Sequence, residues 1–585
     1  MIRARRVIAE ALAVAMLPLL AYFLFRLRLM PFPDLNDPAM HTTFIIDPRD
    51  IFERYSDLFT PTARLREGAR VGLLVPARIS YLLFGSVGGF VVFRYVLALI
   101  AVGPAYVLMR RLGGAAAGVT TAIVVLTCPV ILTAWGTDYP DSASVSYLMG
   151  GLACLAVPSV RRIGWIAAAA ALLTLSVWAF ATSAVFAVAF AAVYLALRVW
   201  RERAHLARDA AVAACVSVAT TLALAVGSGL LLGQLDFITP TVNSIRYLAT
   251  PSQEGLWHSS SWAWAPYDIY LLVLPLIALV WLAAAARLRG SLPTSHLMVG
   301  MGFTVALLAT AALQFIGQVQ MLEEHYFSSL SWAGAMLTFG VLLTIIGQPL
   351  FAHPRWRWSI PIAVVAVALA YVVGTEVFSA RSISRIGMAA VSVLVIAAVV
   401  LTLRAPAVRT KRLAVLGLLI SFDALQLLIT VTPVIAHGPI AGVVTSPVPQ
   451  YSGALGGSDA GAVDVYEVTT EIPGFVGPAS YPGERLMMWW PPSEGRELIE
   501  PIGIFHAYFN SVIGPFGALS PGDADFIEQR RPAQFLLMST NGSADFAGSV
   551  VALAPFQPQV VKMGTLSSGS FTLHLWLVRL NRYSH

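Results

Sequence analysis

The chain has 585 residues, of which 57% are hydrophobic and only 12% are charged. Apolar runs of about 20 residues, the length at which a helix crosses a bilayer, recur along it, which excludes a soluble globular protein. The net charge of +7 does not indicate a nucleic-acid-binding protein, because the basic residues stand in short clusters between the apolar runs. Cytoplasmic loops of membrane proteins show this pattern. The sequence therefore predicts a polytopic α-helical membrane protein of about 13 spans.

The first apolar run extends from Val7 to about Phe25 and follows a basic start with three arginines. A secretory signal peptide has a similar shape, but this run is long and no clear cleavage site follows it. As a span, it places the N-terminus in the cytoplasm. The later spans are predicted at 90–109, 114–133, 142–158, 163–180, a segment ending at 198, 209–233, 266–286, 296–316, 327–347, 359–375, 387–403 and 413–432.

Basic clusters between the spans test the orientation. They are Arg110-Arg111, Arg161-Arg162, 198–208, Arg287-Leu288-Arg289, 353–357 and 404–412. All of them fall on the cytoplasmic face of the plasma membrane when the N-terminus is inside and the C-terminus is outside. This topology requires a very tight outer turn near Phe180-Ala181-Thr182, since otherwise every later loop changes side.

The C-terminal part of the chain has a different character. Residues 1–432 form the predicted membrane domain, and 433–461 form a linker rich in Gly, Pro and Ser. Residues 462–585 alternate short apolar strand-like runs with helix-like stretches and end in a predicted hairpin over 560–580. We expect a small α/β domain outside the cytoplasm.

Two carboxylates and an imidazole follow the first span directly. They are Asp34, Asp37 and His41, in a Pro-rich loop that surfaces on the outer face, and a surface-lying helix is predicted from Arg49 to Gly68. The plainer interpretation is a turn that caps the next helix, because Asp and Asn favour such positions.

Other polar residues are predicted at the same face. They are Arg94, Asp138, Asp141, Arg246, His258, Glu323, Glu324, His325 and Tyr326. Plainer interpretations exist here too: the two aspartates can simply begin the fourth span, where the helix dipole favours a carboxylate. The two glutamates can be solvated loop charges.

Within residues 73–132 the sequence resembles a known family. The resemblance rests on Pro76, Phe84-Gly85, Arg94, Arg110-Arg111-Leu112-Gly113 and Pro129, followed by Asp138 and Asp141. This pattern looks like the membrane-embedded glycosyltransferases of the GT-C fold, the class of lipid A aminoarabinose transferases and protein O-mannosyltransferases. It implies transfer of a sugar from a polyprenyl-phosphate donor to a glycan, lipid or protein acceptor at the outer face. His325-Tyr326 stands where many members carry an Arg-Tyr pair.

The resemblance also implies roles for individual residues. Asp34 or Asp37 matches the acidic motif after the first span, and Asp138 or Asp141 matches the second acidic position. A carboxylate would take the proton of an acceptor hydroxyl, while cations would stabilise the departing lipid phosphate. The candidates for the phosphate are Arg94, Arg246, His258 and His325, and those for acceptor or loop contacts are His41, Glu323, Glu324 and Tyr326. Two acidic loops could also hold Mg²⁺ or Mn²⁺ through carboxylate oxygens.

Two other functions remain open from the sequence. A transporter or flippase for lipid-linked sugars tends to show internal repeats and charges near mid-membrane, and neither is clear here. An O-antigen-ligase-like enzyme would depend on outer-loop Arg and His residues in place of aspartates.

Overall fold

The structure is a computed structural model. It describes residues 10–19, 68–136, 140–158, 162–201, 205–233, 235–248, 273–288, 292–315 and 325–352 of the membrane domain. In the C-terminal domain it describes 486–489, 512–513, 534–540, 553–569 and 571–581. Isolated residues are described at 41, 44, 45, 48, 358, 361, 362, 468, 471, 472, 474–476, 527 and 528.

Twelve helical segments make up the described part of the membrane domain. In chain order they are α1 (Glu10–Leu19), α2 (Val71–Gly113), α3 (Ala115–Thr127), α4 (Pro129–Gly136), α5 (Pro140–Ala156), α6 (Arg162–Ala179), α7 (Ala184–Arg201), α8 (Leu206–Gly227), α9 (Ile238–Leu248), α10 (Val273–Arg287), α11 (Thr294–Phe315) and α12 (His325–Ala352). Within the described residues, six segments are long and apolar enough to cross a bilayer. The prediction of a helical membrane protein is confirmed.

The tight turn that the predicted topology requires is present. A single 3₁₀ turn, Ala181–Ser183, separates α6 from α7, and Phe180 before it is extended. Arg162 at the start of α6 donates a 2.6 Å hydrogen bond to the hydroxyl of Tyr194, far along α7. The chain therefore reverses at this turn, and the two helices run antiparallel.

The predicted span at 114–133 is two helices in the structure. Helix α3 ends at Thr127 and α4 begins at Pro129. Cys128 between them is extended (ψ 112°) because a residue before proline is kept out of the helical region. Pro129 can start a helix but supplies no N–H to continue α3.

Helix α2 contains a sharp bend that hydropathy did not predict. Gly85 has φ 79°, and the Ser80 hydroxyl donates to the carbonyl of Gly89 at 2.8 Å. In a straight helix these residues would lie about 13 Å apart, so the chain folds back here. The predicted span at 90–109 corresponds to the segment Gly88–Gly113, and Val71–Gly85 is an additional apolar helix.

Two apolar clusters hold the bundle together. The larger includes Trp332 and Phe339 of α12, the most deeply buried of the long helices, with 89% of its span buried. The smaller lies at the predicted outer end, where Phe44 and Ile45 of the first outer loop pack with the start of α2. Most of that loop, including 49–67, lies outside the described residues, as do the linker 433–461 and the predicted spans 387–403 and 413–432. Of the predicted span 359–375, only residues 361 and 362 are described.

The C-terminal domain contains a five-stranded mixed sheet in the order β2-β1-β3-β5-β4. The strands are β1 (Leu486–Trp489), β2 (Val512–Ile513), β3 (Gln534–Ser539), β4 (Pro558–Ser568) and β5 (Phe571–Leu580). Strand β1 pairs in parallel with β2 and β3, and β5 pairs antiparallel with β3 and β4. The predicted closing hairpin over 560–580 is β4 and β5, and all six residues of β3 are buried.

Candidate functional site

The predicted site residues fall into three groups. Asp34, Asp37, Asp138, His258, Glu323 and Glu324 lie outside the described residues. Arg246 lies within α9, and His325 and Tyr326 are the first two residues of α12. Only the backbone of these three residues is described. His41, Arg94 and Asp141 are described, and all three are buried.

Asp141 is the described carboxylate of this set and lies in the first turn of α5. Its side chain is only 1% exposed. The carboxylate accepts hydrogen bonds from the Ser329 side chain and from the backbone N–H of Ser142, and it lies in the field of the Arg70 guanidinium. A carboxylate at the positive end of a helix is favoured by the helix dipole. These neighbours favour the charged carboxylate, whereas burial away from water acts against it.

The partners of Asp141 come from separate parts of the chain. Ser329 is near the start of α12, and Arg70 directly precedes α2. The guanidinium of Arg70 also lies over the ring of Phe180, 5.2 Å from its centre, at the turn between α6 and α7. Asp141 thus links, directly or through Arg70, the ends of four helices, α2, α5, α6 and α12, which are predicted to lie at the outer face. Neither Arg70 nor Ser329 carries a sequence signal for this role, because only the fold brings them to α5.

The position of Arg70 is set by a close approach of two helices. A Cβ at Gly72 would lie 2.3 Å from the carbonyl oxygen of Leu175 and 2.4 Å from the amide nitrogen of Ala179. Only glycine leaves room for the start of α2 against the backbone of α6. The charge beside Asp141 is therefore fixed by backbone packing.

The first outer loop is anchored to the same end of the bundle. Arg78 of α2 donates a 2.8 Å hydrogen bond to the carbonyl of Ile45. His41, Phe44 and Ile45 are all buried, at no more than 1% exposure. The chain that follows Asp34 and Asp37 therefore packs against the helices whose ends surround Asp141.

Side-chain hydrogen bonds join α5 to its neighbouring helices close to Asp141. The Trp135 indole donates to the hydroxyl of Ser146 at 2.8 Å, and Ser146 donates back to the carbonyl of Ser142 at 2.9 Å. On the other side, the hydroxyls of Ser144 and Ser176 are 2.9 Å apart. These bonds join α5 to α4 and α6, so the first turn of α5 has little freedom to move.

Arg94 is a second buried charge, on the segment of α2 that follows the bend. It lies nearer the Gly88 end of that segment, the end that is predicted to face the outside. Among the described residues, no three His, Cys, Asp or Glu side chains gather into a metal-binding group. The carboxylates of the two acidic loops, Asp34, Asp37 and Asp138, lie outside that part of the chain.

No protein-family model matches the chain, and no curated protein matches it. Among solved structures, the chain is similar to ArnT from Cupriavidus metallidurans bound to undecaprenyl phosphate, with 14% identity, 98% of this chain and 97% of that chain covered, and a TM-score of 0.47. ArnT in the apo state gives 15% identity, 99% and 98% coverage, and a TM-score of 0.44. The archaeal oligosaccharyltransferase AglB from Archaeoglobus fulgidus, in complex with an inhibitory peptide and a dolichol-phosphate, gives 15% identity, 94% and 72% coverage, and a TM-score of 0.40.

Proposed function

We propose that the protein is an integral membrane glycosyltransferase that moves a sugar from a polyprenyl-phosphate donor to a hydroxyl of an acceptor outside the cytoplasm. The observation that carries this proposal is the buried carboxyl group of Asp141, which is hydrogen-bonded to Ser329 and lies in the field of Arg70, at the end where the acidic first loop packs on the bundle. The sequence resemblance depends in part on acidic residues in two loops, one after the first span and one before the fourth span.

The reaction is a single displacement. Asp34 or Asp37 accepts the proton of the acceptor hydroxyl, the hydroxyl oxygen bonds to the anomeric carbon, and the bond from that carbon to the phosphate oxygen breaks. The electron pair stays on the lipid phosphate, and the anomeric configuration inverts. Of the two, we favour Asp34 as the base, since it comes directly after the span and Pro33 fixes its approach. A general base contributes about 10²–10⁴-fold to such a rate.

The growing negative charge on the lipid phosphate calls for a nearby cation. Arg94, Arg246, His258 and His325 are the candidates from the sequence, and the fold adds Arg70, which is only partly buried at the outer end. Asp141 is too deeply buried to reach an acceptor hydroxyl itself. We assign it as a positioning residue that holds Arg70 and the start of α12 in place.

The test is transfer of a labelled sugar from its polyprenyl phosphate by the purified, reconstituted full chain, together with donor affinity. We expect D34N to lose about 10²–10⁴-fold in turnover while donor affinity changes little, and D37N to lose less. The matched control is D236N: Asp236 is an exposed carboxylate before α9, and asparagine caps a helix as well as aspartate does. Normal turnover by both D34N and D37N would place the base elsewhere.

The positioning role of Asp141 has a separate signature. D141N keeps the shape of the side chain but removes the acidic group near Arg70, so we expect weaker donor binding with a smaller effect on turnover at saturating donor. A loss of turnover alone, equal to that of D34N, would contradict a positioning role. Mass spectrometry of polyprenyl-phosphate sugars and envelope glycans in cells without the protein separates transfer from flipping. Loss of a transferase leaves its donor unused at the outer face and its acceptor unmodified.

A further inference from the structure

A second polar site lies at the opposite end of the bundle from Asp141. A cavity of about 460 Å³ opens between the end of α5, the start of α6, the end of α7 and the start of α11. Every loop that reaches it is predicted to be cytoplasmic. The proposed sugar transfer takes place at the other end of the same helices, so this cavity has no part in that reaction.

The cavity is lined by a cluster of positive charge. Arg162, Arg198 and Arg208 line it together with His205. The acidic residue described beside them is Asp209, which forms an ion pair with Arg162 and lies 3.9 Å from Arg208. Three guanidinium groups therefore face one carboxylate among the described residues, so this part of the lining carries a net positive charge.

One wall of the cavity is rigid. The Asp209 carboxylate, which is buried, pairs with Arg162 and accepts a 3.0 Å hydrogen bond from the Tyr194 hydroxyl. The guanidinium groups of Arg162 and Arg198 both lie over the Tyr194 ring, 5.7 and 5.4 Å from its centre. Two arginines are thus held in place before any ligand arrives, as a preorganised anion site requires.

The remaining arginine is more accessible. The side chain of Arg208 is 50% exposed and stands in the first turn of α8, where it lines the cavity with His205. The hydroxyl-bearing residues Thr294 and Ser295 line the wall at the start of α11. Guanidinium groups and hydroxyls are the donors that suit phosphate oxygens, and Arg binds them in a bidentate geometry.

The other wall and the surroundings of the cavity are apolar. Leu155, Val157, Leu197 and Met298 line it beside the charged residues. Next to it on α7, the indole of Trp200 is 72% exposed, with the Arg201 guanidinium over its ring. Exposed Trp beside Arg at a helix end is typical of the interface between bilayer and water. The cavity therefore lies at the depth of the lipid headgroups.

We propose that this cavity binds the phosphate headgroup of an anionic phospholipid from the cytoplasmic leaflet. A basic pocket between transmembrane helices on the cytoplasmic side suits such a headgroup. A cavity with cationic and apolar walls fits the junction between a charged headgroup and its acyl chains better than it fits a soluble anion, which has no apolar part.

The test is the affinity of the purified full chain for phosphatidylglycerol, measured by native mass spectrometry in a neutral detergent after delipidation. The comparison ligands are phosphatidylcholine, inorganic phosphate and glycerol 3-phosphate. We expect saturable binding of phosphatidylglycerol only. An arginine near an anionic headgroup strengthens binding about fivefold, so R198Q/R208Q should weaken it about thirtyfold and R208Q alone about fivefold.

The matched control is R111Q, because Arg111 is an exposed arginine at the same predicted face, outside the lining of the cavity. Unchanged affinity in R111Q with weaker binding in R208Q supports the assignment. Equal losses in both variants would show general attraction to a basic surface and overturn it. Tight binding of inorganic phosphate or glycerol 3-phosphate would identify a site for soluble anions. Equal binding of phosphatidylcholine would show that the negative charge of the headgroup does not determine binding. R208Q, at a half-exposed position, decides the matter if the double variant does not fold.

Discussion

Replacing Asp209 by alanine tests the ion pair that joins α6, α7 and α8. The Asp209 side chain is 1% exposed and that of Arg162 is 15% exposed, so solvent screens the pair little. Removing one partner of a buried ion pair costs about 3–5 kcal/mol, because the other charge stays buried without compensation. Tyr194 would also lose the acceptor of its 3.0 Å hydrogen bond. We therefore expect D209A to lower the free energy of unfolding by about 3–5 kcal/mol.

The assay is unfolding of the purified protein in mixed micelles, followed by tryptophan fluorescence as the fraction of denaturing detergent is raised. Two further variants make the result specific. Y194F removes only the hydroxyl, with an expected cost of about 1–3 kcal/mol. R162M/D209L replaces both charges by apolar side chains and should recover much of the loss, since paired apolar replacement of a buried ion pair is often neutral.

The coupling energy between Arg162 and Asp209 decides whether this reasoning holds. A double-mutant cycle isolates it from effects on the unfolded state that both single variants share. If D209A unfolds within about 0.5 kcal/mol of the unaltered protein, or if the two substitutions are additive, the pair does not stabilise this end of the bundle.

Three other perturbations follow from single contacts. G72A should displace the start of α2, because the added Cβ meets backbone atoms of Leu175 and Ala179 that cannot move away. We expect donor affinity to fall more than stability. Donor binding and thermal unfolding of the variant measure the two effects. D236A should destabilise α9 above about pH 4 and have no effect in strong acid. The amide N–H of Thr239 lowers the pKa of Asp236, so the carboxylate stabilises the fold above its ordinary pKa and loses this effect as pH falls; circular dichroism against pH measures it. L537A should cost the C-terminal domain about 2–5 kcal/mol, because Leu537 is buried at the centre of the sheet; urea unfolding followed by tryptophan fluorescence checks this.

Hydropathy and charge predicted much of the helical architecture because both act locally. The predicted spans 163–180 and 209–233 correspond to Arg162–Ala179 and to Leu206–Leu232, with ends shifted by at most three residues. The turn at 181–183 was required by the placement of basic clusters alone. The closing hairpin of the C-terminal sheet, β4 and β5, also followed from a local apolar pattern, whereas strand β2, the strand order and the mixture of parallel and antiparallel pairing did not.

Features that depend on contacts between residues far apart in the sequence could not be predicted from it. The bend at Gly85 is stabilised by Ser80 and Gly89 meeting across it, and an apolar run on both sides conceals it. Arg70 has no motif of its own and acquires its place through the close packing at Gly72. The basic cavity draws its arginines from two clusters, Arg161-Arg162 and 198–208, each of which the sequence shows only as an ordinary cytoplasmic cluster.

The orientation of the bundle in the membrane remains a prediction, and the structure shows which positions test it. Helix α8 and the π-helical turn after it form one segment, Leu206–Leu232, of 27 residues, which is about 40 Å long. Arg208 is half exposed near its start, and Leu235 is 76% exposed just beyond its end. Single cysteines at these positions, with the three native cysteines replaced, should therefore report opposite faces.

We expect L235C to react with a membrane-impermeant maleimide in intact spheroplasts, and R208C to react only after the membrane is opened. A reporter that is active only in the cytoplasm, inserted after Ser446, should be silent, because the C-terminal domain is predicted to lie outside. The converse labelling would show that the bundle has the opposite orientation, with Asp141 on the cytoplasmic side and the basic cavity in the outer leaflet. Since α5 carries Asp141 at its first turn and lines the cavity at its last, one labelled loop fixes the side of both.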